Sequence, residues 1–324
     1  MGNVVSQIFF IPPPTLTEKN CPDQTGRVFL VTGGYAGVGL ELCKILYAHN
    51  ATVWIAGRSA AKAEKAIASI KAAAPSPASG RIDFLQLDLA DLSTIKPAVE
   101  AFTAREHRLD VLVNNAGVMY PPKGTLDAQG NDIQFGTNLL GPYLVYRLLQ
   151  PLLRQTAATA PTGTVRVAWA GSVAVHVRAP GPGGMVVDGD GRPTDQGVMA
   201  NYGQTKVGNV FLARHFARAT TAESGVVHVA FNPGNLRTEL QRHWRGVDAW
   251  VTDKFLLYPP IFGAYTELWS ALSPELTPAK SGAYVYPWGR FGDLPAGVEA
   301  SMMGEPSVAD RFVEWCERET RPFA

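Results

Sequence analysis

Charge of one sign is what this 324-residue chain lacks most: 29 Lys and Arg stand against 28 Asp and Glu, a formal net charge of +1. No Lys/Arg cluster breaks that balance, which argues against nucleic acid or another polyanion as a partner. Cysteine is scarce. Cys21, Cys43 and Cys316 lie far apart, odd in number and without metal-ligand spacing. Neither a disulfide framework nor a bound metal is expected, and the thiols read as reduced ones in a cytoplasmic protein. No stretch approaches the ~18–20 consecutive apolar residues that a spanning helix requires. The apolar start, Val4 to Ile11, is shorter than a signal-peptide core and has no basic flank. Internal repeats and linkers of disordered composition are missing too, so one embellished domain is expected rather than two.

What is present is an alternation. Val28–Thr32, Thr52–Ala56, Ile82–Leu87, Val111–Asn114, Val165–Ala170, Val226–Phe231 and Ala283–Tyr286 are short runs rich in Val, Ile and Leu. Helical spacing fills the gaps, as in Leu40–His49, Ala60–Ala73 and Gly141–Gln155. Continuous apolar strands alternating with helices predict an α/β fold, a doubly wound parallel sheet of about seven strands with helices on both faces. Ligands of such sheets sit at the carboxyl ends of the strands. Three segments depart from the pattern. Residues 1–26, with Pro12, Pro13 and Pro14, read as an extended strap before a domain spanning 27–324. Residues 173–200 are rich in Gly and Pro and read as an inserted loop, while 235–280 are dense in aromatics.

The first strand runs straight into Thr32-Gly33-Gly34-Tyr35-Ala36-Gly37-Val38-Gly39. Glycines there permit a tight turn and let backbone approach a pyrophosphate whose charge sits at a helix N-terminus. At the end of the second strand, an acidic side chain would select NAD by binding its ribose hydroxyls. Gly57 stands there instead, followed by Arg58, whose guanidinium suits the 2′-phosphate of NADP(H). A merely solvated Arg at a strand end is the plain alternative. Asp88 ends the third strand, where an adenine edge could be met, and Asn114-Asn115-Ala116-Gly117 ends the fourth. Each alone is compatible with ordinary turn chemistry.

Asn201-Tyr202-Gly203-Gln204-Thr205-Lys206 opens a helix predicted to run to about Arg218. Tyr202 and Lys206, four residues apart, share one helix face. A phenol of ordinary pKa, ~10, needs help to exchange its proton near neutral pH, and an ammonium one turn away gives it.

With these motifs in this order, residues 27–240 resemble a short-chain dehydrogenase/reductase, a family with a Rossmann-type fold. The pairing of Tyr202-Gly203-Gln204-Thr205-Lys206 with a long preceding insert is most like the retinol-dehydrogenase and WW-domain-oxidoreductase branch. The Tyr35–Gly39 turn behind a Pro-rich strap looks most like fungal members of that branch. The resemblance implies an oxidoreductase that moves a hydride between nicotinamide and a carbonyl/alcohol pair. It makes Tyr202 the general acid/base and puts Lys206 on the nicotinamide ribose, lowering the Tyr pKa. Ser172 would hydrogen-bond the substrate oxygen, Asn138 would hold a relay water, and Pro233, Gly234 and Thr238 would lie along the nicotinamide. Two departures stand out. The serine strand ends Ala170-Gly171-Ser172, so a single serine must serve, and 30 residues separate it from Tyr202. The insert is therefore expected to fold out over the substrate mouth.

Trp244, Trp250, Phe255, Leu256, Leu257, Tyr258, Phe262, Tyr265 and Trp269 fall where the family closes over substrate. An apolar lid implies a sizeable lipophilic substrate; ordinary core or a dimer contact is the alternative. His176 and His243 could face the pocket. Met1-Gly2-Asn3-Val4-Val5-Ser6 matches the loose N-myristoylation pattern, which would add only weak membrane affinity; a strap docked on the domain is the alternative reading. Oligomeric state stays open, a homodimer included. Two other functions use the same motifs: epimerisation or C=C reduction at this site, and a non-catalytic NADP-binding regulator.

Overall fold

A computed structural model describes residues 2–75, 80–237 and 257–324, without the side chains of residues 2, 3 and 220–224. Among the described residues, eight strands form one sheet: β1 (Val28–Thr32), β2 (Thr52–Gly57), β3 (Arg81–Gln86), β4 (Val111–Asn114), β5 (Arg166–Ala170), β6 (Val227–Phe231), β7 (Ala283–Tyr286) and β8 (Arg290–Gly292). Their order is β3-β2-β1-β4-β5-β6-β7-β8. Every neighbouring pair is parallel except β7 and β8. The seven parallel strands are those expected from the apolar runs, with ends shifted by a residue or so. The eighth, three residues hairpinned onto the edge, is too short to leave a periodic signal. Burial explains the parallel arrangement. Every residue of β1, β4, β5 and β6 is buried, as required of strands covered on both faces. Strand order reverses between β1 and β4, and the crevice that opens there is the usual ligand position.

The helix carrying Tyr202 spans Val198–Ser224, longer than the sequence predicts at both ends. It packs on β6 and against the C-terminal helix Val308–Thr320, where Phe211 and Phe312 meet at 6.2 Å between ring centroids. The middle of the insert differs from expectation. Instead of folding out, it packs back on this helix and its neighbours: Met185 is buried, Gly184 lies against Val207 and Val298, and Gly191 lies against the Arg311 backbone. Missing side chains at Gly184 and Gly191 allow that approach.

Two further expectations are corrected. Residues 2–8 are helical, not extended. Seven residues cannot sustain a helix alone. Tertiary contacts hold this one: the fully buried Gln7 accepts from Asn232 Nδ2 at 2.9 Å, and the Ser6 carbonyl accepts from Arg290. The rest of the strap then lies on the domain, with Gln24 N donating to His49 O at 2.7 Å. The described part of the aromatic segment is also largely not a lid. Pro260–Leu272 is a helix packed on the Gly37–Ala48 helix, with Leu268 and Trp269 in the core. Arg166, buried at the start of β5, anchors its C-terminal end by donating to the carbonyls of Ser270, Ser273 and Leu276 at 3.3, 2.8 and 3.1 Å. Trp244, Trp250, Phe255, Leu256 and His243 lie outside the described residues.

If Trp269 is core, Trp269→Ala should cost about 3–5 kcal/mol of stability, read by urea denaturation, and leave KM and coenzyme affinity unchanged at low temperature. A KM rise without loss of stability would restore the lid.

Candidate active site

The glycine-rich turn is built by backbone conformation. Gly33 has φ +70° and Gly37 φ +54°, both in the left-handed region that glycine enters without strain. A Cβ at Gly39 would stand 2.6 Å from Asn115 Nδ2 and 3.0 Å from Gly33 O, so the helix start fits against the turn only without one. Thr32 and Asn115 lock the two strand ends together. Asn115 Nδ2 donates to Thr32 O at 2.8 Å, and Ala116 N donates to Thr32 Oγ1 at 3.0 Å. Tyr35 and Val38 both belong to this turn, and Val38 packs against Gly263.

At the end of β2, Arg58 is exposed and forms no ion pair or hydrogen bond among the described residues. Gly57 is covered: a Cβ there would run into the Tyr35 ring. Tyr35 thus takes the space that an acidic side chain would need. Asp88 is half committed to its own turn, its Oδ1 accepting from Ala90 N at 3.0 Å.

Four elements converge at the carboxyl end of β5. Ser172 follows β5, and its Oγ accepts from Ala174 N at 3.1 Å. The Tyr202 hydroxyl is hydrogen-bonded to the Ser172 side chain. Lys206, one turn on, is 5% exposed, donates from Nζ to Ala170 O at 3.0 Å and lies 5.4 Å from the Tyr202 ring centroid. Asn138 lies in a π-helical turn, Gly136–Leu140, a local irregularity frequent at functional sites. Its carboxamide clamps the loop after β4: Nδ2 donates to Val118 O at 3.0 Å and Oδ1 accepts from Val118 N at 2.8 Å. Another bond from Nδ2 reaches Thr205 Oγ1 at 3.1 Å, tying that loop to the Tyr202 helix. Nζ of Lys206 and Oδ1 of Asn138 face each other across Gly117, whose Cβ would stand 3.7 and 3.0 Å from them.

Burial governs the protonation states. Desolvation, and after it the Tyr120 phenol, push the Tyr202 hydroxyl well above the ordinary tyrosine range, while its bond to Ser172 pulls the other way. Desolvation alone lowers the Lys206 ammonium to about 8. The Lys206 ammonium donates to the Ala170 carbonyl, and burial is the largest influence on the Tyr202 phenol.

Pro233 and Gly234 follow β6, with Gly234 at φ +96° and its N donating to Asn232 Oδ1 at 3.0 Å. Thr238 lies outside the described residues. His176 points elsewhere, toward the Asp293 carbonyl at 3.1 Å.

Two residues at the site were not singled out from the sequence. Tyr120, in the loop after Gly117, sets its ring edge-on to Tyr202 at 5.5 Å, with a hydrogen bond to Arg178 from the insert. A lone tyrosine in a loop has no period to betray it. Asn209, on the same helix face as Tyr202 and Lys206, adds a second donor to Ala170 O at 2.9 Å. Its spacing was readable.

Comparison with known proteins identifies the family. The profile of the short chain dehydrogenase family matches residues 27–177. A short-chain dehydrogenase/reductase of the fungus Phomopsis amygdali is 42% identical, the match covering 100% of this chain and 98% of that protein. Among solved structures, the Pseudomonas aeruginosa RhlG/NADP active-site complex shares the fold at TM-score 0.63 and 23% identity, over 82% of this chain and 96% of that one. A 3-ketoacyl-(acyl-carrier-protein) reductase from Brucella melitensis complexed with NADH does so at TM-score 0.60 and 23% identity, over 81% and 96%. Glycine turn, switch-point crevice, Ser/Tyr/Lys convergence and full-length similarity lead to one conclusion: the chain belongs to the short-chain dehydrogenase/reductase family of oxidoreductases.

Proposed function

We propose that the protein is an NADPH-dependent reductase of a lipophilic ketone or aldehyde. One observation carries the reading: the protonated Tyr202 phenol, hydrogen-bonded to Ser172, lies one helical turn from the buried ammonium of Lys206. A carbonyl oxygen placed between Tyr202 and Ser172 would meet two hydroxyls as it gains negative charge. Tyr202 then gives up its proton to the forming alkoxide, and Ser172 orients the oxygen and shares its charge. Lys206 would hold the nicotinamide ribose of a bound coenzyme through its ammonium. Asn138, its carboxamide engaged by Val118 and Thr205, holds the loop after β4 against the Tyr202 helix.

The chain's residues fit a dinucleotide. The Gly33–Gly39 turn, with Gly33 and Gly37 in the left-handed region, opens a helix whose N-terminus suits a pyrophosphate, and the exposed Arg58 is free to pair with a 2′-phosphate. NADPH, when bound, supplies the hydride. Half-buried Tyr258 and Phe262, with Trp288, form an aromatic patch beside Gly234 that suits a lipophilic substrate.

Tyr202→Phe should lower kcat by at least ~10²-fold, the usual worth of a positioned acid, with NADPH affinity nearly unchanged in a fluorescence titration. Retained turnover would remove Tyr202 from the chemistry. Lys206 holds its proton below a pH of about 8 and loses it above. Coenzyme binding that uses the ammonium should therefore weaken as pH rises through that value, and Lys206→Met should bind weakly with no such dependence.

Coenzyme choice rests on Arg58. A charge-assisted hydrogen bond predicts a preference for NADPH over NADH of about 10- to 100-fold, which Arg58→Ala should largely erase by weakening NADPH alone. Gly57→Asp, which must also displace Tyr35, should turn the preference toward NADH. Equal wild-type dissociation constants for the two coenzymes would contradict the assignment.

A further inference from the structure

Tyr120, in the loop after β4, has φ +50°, a left-handed conformation that a bulky side chain keeps only when its surroundings impose it. Two contacts hold it there. Its N donates to Oε1 of the fully buried Gln134 at 3.4 Å, and its ring stands edge-on to Tyr202 with centroids 5.5 Å apart. The Tyr120 phenol is hydrogen-bonded to the Arg178 side chain.

Arg178 reaches this point from the other direction. It caps the short helix Ala174–Val177 that follows Ser172, its N donating to Ala174 O at 2.9 Å. Its main chain lies on Gly203, the residue after Tyr202: a Cβ there would stand 2.5 Å from the Arg178 carbonyl carbon. The missing side chain at Gly203 thus seats Arg178 directly beside the catalytic tyrosine. Arg178 is exposed and Tyr120 half-buried, so a ligand can reach both. The carboxylates beside Asn201, at the head of the Tyr202 helix, are otherwise engaged: Asp132 and Asp195 accept from Asn201 Nδ2 at 3.2 and 2.8 Å.

Sheet order gives the cluster its place. Tyr120 follows β4, Ser172 follows β5 and Gly234 follows β6, and these strands are neighbours in that order. A carbonyl held by Ser172 and Tyr202 therefore has the aromatic patch beside Gly234 on one flank and Tyr120 with Arg178 on the other. One flank is apolar. The other offers a guanidinium fork, which matches a carboxylate in both charge and geometry.

We propose that the substrate is a lipophilic keto acid, that Arg178 binds its carboxylate, and that Tyr120 positions Arg178 for this. The inference rests on the functional reading above and narrows its substrate class. Filling both flanks requires two substituents on the carbonyl carbon, which selects a ketone over an aldehyde. The apolar substituent lies toward Tyr258 and Phe262, the acidic one toward Arg178, and Tyr202 protonates the oxygen between them.

The test sets a series of ω-benzoylalkanoates of increasing chain length against their methyl esters, reading oxidation of NADPH. For at least one chain length, kcat/KM for the acid should exceed that for its ester about tenfold, the worth of one hydrogen bond to a charged group. Arg178→Met should bring the acid down to the ester. Arg178→Lys, which keeps the charge without the fork, should retain part of the preference. Tyr120→Phe, which keeps the ring against Tyr202 and removes the hydroxyl, should diminish it too. Equal kcat/KM for acid and ester at every chain length overturns the proposal, as does a preference that survives Arg178→Met. An equal loss on acid and ester in Arg178→Met makes the residue structural and overturns it as well. Wild-type protein that reduces neither acids nor esters with NADPH or NADH overturns the functional reading and this inference together. Reduction of the esters without preference for the acids overturns the inference alone.

Discussion

Lys206 carries its ammonium into the interior against one carbonyl, Ala170 O, which it shares with Asn209. Taking a charge out of water costs several kcal/mol, and one neutral acceptor does not return it. The depressed affinity of Lys206 for its proton measures what is left unrecovered. A sugar's hydroxyls are the kind of partner that would complete its coordination. Around this one uncompensated charge, β5 ends at Ala170, the Val198–Ser224 helix presents Tyr202 a turn earlier, and the Asn138 π-turn closes the far side at Gly117.

The same arrangement explains why Tyr202 keeps its proton. A phenolate would add a second charge to a buried site, where Tyr120 packs edge-on against the ring and the Ser172 hydroxyl bonds it. The nearby Lys206 cation, 5.4 Å from the ring centroid, is engaged with main chain.

Support for this site comes from unremarkable packing. Arg166 ties the end of the Pro260–Leu272 helix to β5, and Thr266 of that helix holds Trp288. The N-terminal helix reaches Asn232 beside Gly234 through Gln7. Strap, helix and β7–β8 turn, distant in sequence, thus converge on one loop. The geometry of the 232–234 loop is set by segments that the catalytic motifs do not contain.

The seven parallel strands, the turn at Gly33–Gly39 and the Tyr202–Lys206 helix face were determined by sequence alone, because each depends on local physics: strand burial, glycine conformation and a 3.6-residue period. Arg58 in place of an acid was equally legible, being a matter of residue identity at a strand end. What tertiary structure decided was everything requiring a distant partner. A seven-residue helix forms at 2–8 only because Gln7 and Ser6 find Asn232 and Arg290. Tyr265 and Trp269 carry the composition of a lid and the position of a core, since an aromatic stretch does not state which surface will bury it. The insert's glycines read as a loop folding out, yet Gly184 and Gly191 admit Val207 and the Arg311 backbone. The burial that pushes the Tyr202 hydroxyl up likewise could not follow from its four-residue spacing to Lys206, because the direction of a pKa shift depends on how much water the fold removes.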